Sequence, residues 1–64
     1  MRMAKSQPKL VRYVSPFGTP AWMSREIAEQ HLEDDDRRWV LYSQHGLLSE
    51  AQREIGPPRI EVHT

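Results

Sequence analysis

The side chains with the chemistry to act on a substrate or hold an ion are the acidic run Glu33-Asp34-Asp35-Asp36, three histidines (His31, His45 and His63), and Ser15, Ser24, Ser43 and Ser49. Paired carboxylates that share acid–base work face one substrate from separate elements. Adjacent aspartates point in different directions, so Asp34, Asp35 and Asp36 read as a solvated turn or cap, where Asp is favoured. A calcium loop needs the spaced pattern D-x-D-x-D-G, which this run does not have. The histidines share no H-x-x-x-H spacing, and the serines have turn, cap or strand explanations outside any G-x-S-x-G context. Gly18, Gly46 and Gly56 stand singly and make no phosphate-cradling loop. With no cysteine, thiolate nucleophiles, zinc–thiolate sites and disulfides are excluded. The expectation is a non-enzymatic chain with no catalytic residue, no cofactor and no metal.

The aromatic residues say more. Tyr13, Phe17, Trp22, Trp39 and Tyr42 are many rings for a chain of 64 residues. Burial of the two tryptophans would supply most of a core. Alternatively one stays exposed beside Arg37 or Arg38 as an interface anchor, because Trp, Tyr and Arg dominate binding hot spots. Phe17, at the tip of an expected hairpin, has no evident core to enter. The candidate partner-binding residues are therefore Phe17, Trp22, Arg37, Arg38 and Trp39.

Size sets limits on what positions them. A chain near 60 residues buries only about 60% of the surface its unfolded form exposes, and seldom encloses a catalytic cleft. One domain is expected over 9–64, preceded by a flexible basic tail over 1–8. Nine basic and nine acidic groups leave a net charge of zero. That lacks the basic excess of a dedicated nucleic-acid binder. No apolar run approaches the roughly 20 residues of a membrane span, and no signal-peptide core follows the first residues. Absence of cysteine suits a reducing compartment, so a cytoplasmic location is expected.

Leu10-Val-Arg-Tyr-Val-Ser15 is rich in β-branched and aromatic residues and reads as a strand. Pro16 and Gly18 turn the chain, and 20–24 reads as the return strand of a hairpin, although Thr19 and Pro20 would also suit the N-cap and first position of a helix. Ser24 caps a helix expected over about 24–33, with Ile27, Ala28, His31 and Leu32 on one face. The acidic run is expected to stop it, because the helix dipole disfavours negative charge at a C-terminus. Arg37-Arg-Trp-Val-Leu-Tyr-Ser43 then reads as a buried strand, although Asp35 or Asp36 as cap and Gly46 as stop would make it helical. Ser49-Glu-Ala-Gln52 is a capping box for a short helix over about 50–55, ended by Gly56 and Pro57-Pro58. Residues 59–63 alternate polar and apolar, as an edge strand does. The expected fold class is α+β: a small twisted antiparallel sheet covered by a helix.

Two resemblances bear on function. Val11-Arg-Tyr-Val-Ser-Pro16, Gly18, Trp22-Met-Ser24, Ala28 and Leu32 resemble the strand, turn, strand and Ser-led helix of small tailed-phage accessory proteins. That resemblance implies a phage-encoded protein binding a host or virion protein, or a virion structural subunit. Glu26-Ile-Ala28, Arg37-Arg-Trp39 and Gly46-Leu-Leu48 resemble excisionase and MerR-like helix-turn-helix domains in order, though not in spacing. That second resemblance implies a DNA-binding protein with Arg37 and Arg38 on the nucleic acid, and requires residues 37–45 to be helical.

Overall fold

A computed structural model describes residues 10–62; the tail expected over 1–8 and His63 at the end of the expected edge strand lie outside them. The chain runs β1 (Leu10–Val14), β2 (Ala21–Ser24), α1 (Arg25–Gln44), α2 (Glu50–Ile55) and β3 (Arg59–Glu61). The three strands form one antiparallel sheet in the order β2-β1-β3. The fold is thus a small α+β one, with the hairpin, the short second helix and the edge strand where the sequence puts them.

Register follows from burial. Val11 lies opposite Met23, and Tyr13 opposite both Ala21 and Ile60. Val11 and Tyr13 form the core with Ala28 of α1, and Met23, Leu32 and Ile60 pack around them. A slip of one residue would turn both β1 side chains to the other face, so the buried face specifies the pairing. On that opposite face Arg12 lies between Trp22 of β2 and Glu61 of β3, the latter a cross-strand pair of opposite charge.

Two expectations are overturned. The helix does not stop near Glu33, and 37–43 is not a strand: α1 is one helix of 20 residues. Nothing between Arg25 and Gln44 breaks a helix, since neither Gly nor Pro occurs there. Glu33 and Asp34 stand four residues ahead of Arg37 and Arg38, the favourable orientation for helical ion pairs. The Glu33–Arg37 pair is formed at 3.7 Å, though both groups are exposed and their contribution is small. The decisive feature is a stripe. Ala28, Leu32, Asp35, Trp39 and Tyr42 recur at alternating steps of four and three, and these are the helix's less exposed positions. Asp35, the polar member, hides the stripe from a hydrophobicity reading. Val40 and Leu41, expected to be buried in a strand, are each about half exposed.

Local signals place the ends. Ser24 Oγ accepts from the Ile27 N–H at 3.3 Å. At the other end Gly46 takes φ 65°. The Leu47 N–H donates to the Tyr42 carbonyl at 2.9 Å and the Gly46 N–H to the Ser43 carbonyl at 3.3 Å, which together make a Schellman cap. Both halves of the Ser49–Gln52 capping box form. Gly56 ends α2 at φ 86° and ψ −176°. Gln52 Nε2 donates to the Pro16 carbonyl at 3.3 Å, which ties α2 to the β1–β2 turn. The helix-turn-helix alternative needs helix at 37–45 and meets α1 there as far as Gln44, but α1 has no turn within the acidic run and the molecule is built on a sheet.

Gly56 sits in a backbone region that is essentially closed to side chains, and a Cβ there would meet no atom within 4 Å. Gly56→Ala is therefore expected to lower unfolding free energy by about 1–3 kcal/mol through the backbone alone. Gly18→Ala, at a position with equal space and no positive φ, is expected to be neutral or slightly stabilising. Urea melts of the two variants check this, and equal midpoints would refute it.

Candidate functional site

Two concavities lie near Phe17, which lines the first and touches Tyr42 of the second. The first is a polar cup beneath the β1–β2 turn. Tyr13 reaches it from the central strand, only 5% exposed. Its hydroxyl donates to Asp35 Oδ2 at 2.6 Å. The Tyr13 ring stands 5.8 Å from that of His31, one helical turn before Asp35. Ser15, 3% exposed, also lines the cup, and its Oγ accepts from the Phe17 N–H at 3.1 Å. That contact stabilises the turn as it leaves β1 and aims the Phe17 ring. Phe17, Gly18 and Thr19 complete the rim of a space of about 260 Å³.

Burial raises the Tyr13 hydroxyl well above its ordinary pKa of 10.0, and donation to the Asp35 carboxylate raises it further; the hydrogen bond with Ser15 acts in the opposite direction. Ionising Tyr13 would place a phenolate beside a carboxylate in a poorly solvated spot. The hydroxyl is therefore a fixed donor at neutral pH, and its chemistry here is positional: it holds the Asp35 side chain against the strand.

The second concavity is an open groove of about 370 Å³ where α1 overshoots the sheet. A helix of 20 residues is about 30 Å long. A strand of five residues is about 17 Å long, so no strand supports the full helix. Trp39 and Tyr42 from the end of α1 form one wall, with Leu48 and Arg53 opposite. The Arg53 guanidinium donates to the Leu48 carbonyl at 3.4 Å, which orients that wall. Phe17 joins the two concavities. Its ring meets Tyr42 edge-on, with centroids 5.3 Å apart, and the Arg38 guanidinium lies 5.4 Å above its centroid.

Of the five residues singled out from sequence, Phe17, Arg38 and Trp39 are brought together, linked through Tyr42. Arg37 is on another side of α1, paired with Glu33. Trp22 is on β2, 54% exposed on the sheet face away from α1. Phe17 is half-buried rather than an exposed tip, because the extension of α1 supplies the neighbours that a strand at 37–43 would have placed elsewhere. The tryptophans are not the centre of the core, which belongs to Val11, Tyr13 and Ala28. Tyr42, Asp35, His31 and Leu48 are not among the five partner-binding candidates. The spacing of Asp35, Trp39 and Tyr42, at steps of four and three, is the signal that reaches three of the residues involved.

Among the described residues, no group of three or more His, Asp or Glu side chains is placed to hold a metal ion. No helix among them is long and apolar enough to cross a membrane. Compared with protein-family models, curated proteins and solved structures, the chain matches none.

Because the folded state favours protonated Tyr13, its contribution to stability is complete below the ordinary value of 10.0 and is lost as pH rises through the higher folded value. Unfolding free energy is expected to decline with increasing pH above about 10. Tyr13→Phe should lose about 1.5–3 kcal/mol at neutral pH, the contribution of a hydrogen bond to a charged group, and lack the Tyr13 part of the alkaline decline. Denaturant melts of both proteins between pH 7 and 11 check this; parallel pH profiles would refute it.

Proposed function

We propose that the chain is a non-enzymatic protein-binding domain, and that it docks a partner's apolar segment in the groove at the end of α1. The observation that carries this reading is the run of groups gathered there. Trp39, Tyr42 and Leu48 line the groove, and Phe17 and Arg38 adjoin it through Tyr42. Aromatic and Arg side chains surrounding an apolar depression are the composition of interface hot spots. In a chain this small, a helix that extends past its sheet is better explained by an external surface than by the domain's own core. The resemblance of residues 11–32 to phage accessory proteins adds that the partner is a host or virion protein and that binding takes place in the host cytoplasm.

A DNA-binding role has less support. Helix at 37–44 satisfies one requirement of that reading. However, Glu33, Asp34 and Asp36 are exposed on the same helix as Arg37 and Arg38, and α2 carries Glu50 and Glu54 beside Arg53. Such surfaces repel phosphate as much as they attract it.

Trp39→Ala removes the groove's largest ring and is expected to weaken capture of the partner from nuclease-treated lysate of the source host by tenfold or more, about the loss of one hot-spot residue. Arg37→Ala should leave capture unchanged. Capture lost on nuclease treatment, or equal for wild type and Trp39→Ala, would overturn the proposal; circular dichroism separates loss of the groove from loss of fold.

A further inference from the structure

We propose that the polar cup beneath the β1–β2 turn is a binding site for an alkylammonium head, carried either by a small amine or by a lysine side chain. The proposal does not depend on the groove reading. The aromatic rings of Tyr13 and Phe17 line the cup, together with the His31 imidazole and the Asp35 carboxylate. Aromatic faces attract cations through their quadrupoles, and one carboxylate among them supplies the counter-charge. The Arg38 guanidinium already lies 5.4 Å from the Phe17 ring centroid, so a second cation relies on the Tyr13 ring and the Asp35 carboxylate. Asp35 takes the Tyr13 hydroxyl on Oδ2, which leaves most of its lone-pair capacity for another donor. Among the described residues no Lys or Arg forms an ion pair with it; the ion pairs there are Arg37–Glu33 and Arg59–Glu61. Asp34 and Asp36 flank it on α1 and Arg37 and Arg38 follow, so the neighbouring charges largely offset one another and the counter-charge is that of Asp35 itself.

The chemistry narrows the occupant. An anion is repelled by Asp35. A divalent metal needs several oxygen ligands and finds one carboxylate. At about 260 Å³ the cup is smaller than the roughly 300–1,000 Å³ of sites that enclose a drug-sized molecule, so a short head group suits it. Three donors on a compact ammonium match one carboxylate, with the alkyl stem against the rings and Met23.

The test is an amide-resolved NMR titration of the full chain at constant ionic strength with n-butylammonium chloride, n-butanol and the peptide acetyl-Gly-Lys-Gly-amide. Butylammonium is expected to give saturable shifts at Tyr13, Gly18, Thr19 and His31 with an affinity of about millimolar, and butanol none. Asp35→Asn keeps an acceptor for the Tyr13 hydroxyl and should weaken binding about tenfold or more, the loss of a charge-assisted contact. Thr19→Lys, at an exposed rim position, should abolish binding by placing a resident ammonium at the cup, and it decides the matter if Asp35→Asn does not fold. Peptide binding at least as tight as butylammonium assigns the cup to a partner's lysine, and weaker peptide binding assigns it to a free amine. Absence of saturable shifts with either cation, equal shifts with butanol, or unchanged binding in every folded variant would overturn the proposal.

Discussion

The hydrogen bond from Tyr13 to Asp35 is the contact on which the rest of the arrangement turns. It joins the central strand to the middle of α1 across 22 residues of sequence. Before it, the helix rests on the sheet through Ala28 and Leu32. Beyond it, the same stripe continues as Trp39 and Tyr42, which line the groove, Tyr42 also meeting Phe17. The bond marks where α1 passes from support to overhang, and it does so with a polar pair because the site lies at the margin of the core. A charged carboxylate in the centre of so small a core would be costly; at the margin it is half solvated and still accepts a buried donor.

A thin core shapes everything around that bond. Among the described residues no large side chain is completely enclosed. Stability is therefore spread over local devices: a Ser cap and a Schellman cap on α1, a capping box on α2, and the Arg59 guanidinium donating to the Ile55 carbonyl at 2.9 Å where α2 hands over to β3. Each is worth about a kilocalorie per mole or less than a few, and in a marginal domain such amounts matter. Ala28, completely buried, shows the steric side of the same economy. Only a small side chain lets a helix approach a three-stranded sheet that closely.

What could be read in the sequence was what neighbouring residues decide among themselves. Ser24, the Ser49–Gln52 box, Gly56 before two prolines and the Pro16–Gly18 turn each act within a few residues, and each is found where local chemistry puts it. The stretch 34–43 depends on a residue from another element. Without Tyr13 opposite, Asp35 looks like a terminator and the apolar run after it like a strand; with Tyr13 opposite, Asp35 is part of the inward face. The same distance effect governed the candidate site. Aromatic and Arg types identified Phe17, Arg38 and Trp39, but their meeting through Tyr42 requires α1 to be continuous, and Trp22 and Arg37 shared their types without sharing their place.

Phe17 has one further consequence. Its ring is at once a side of the cup and a neighbour of Tyr42 in the groove. An occupant of either concavity that shifts this ring changes the free energy of filling the other. Linkage makes that influence equal in both directions, so a ligand that helps a partner bind is itself held more tightly once the partner is in place.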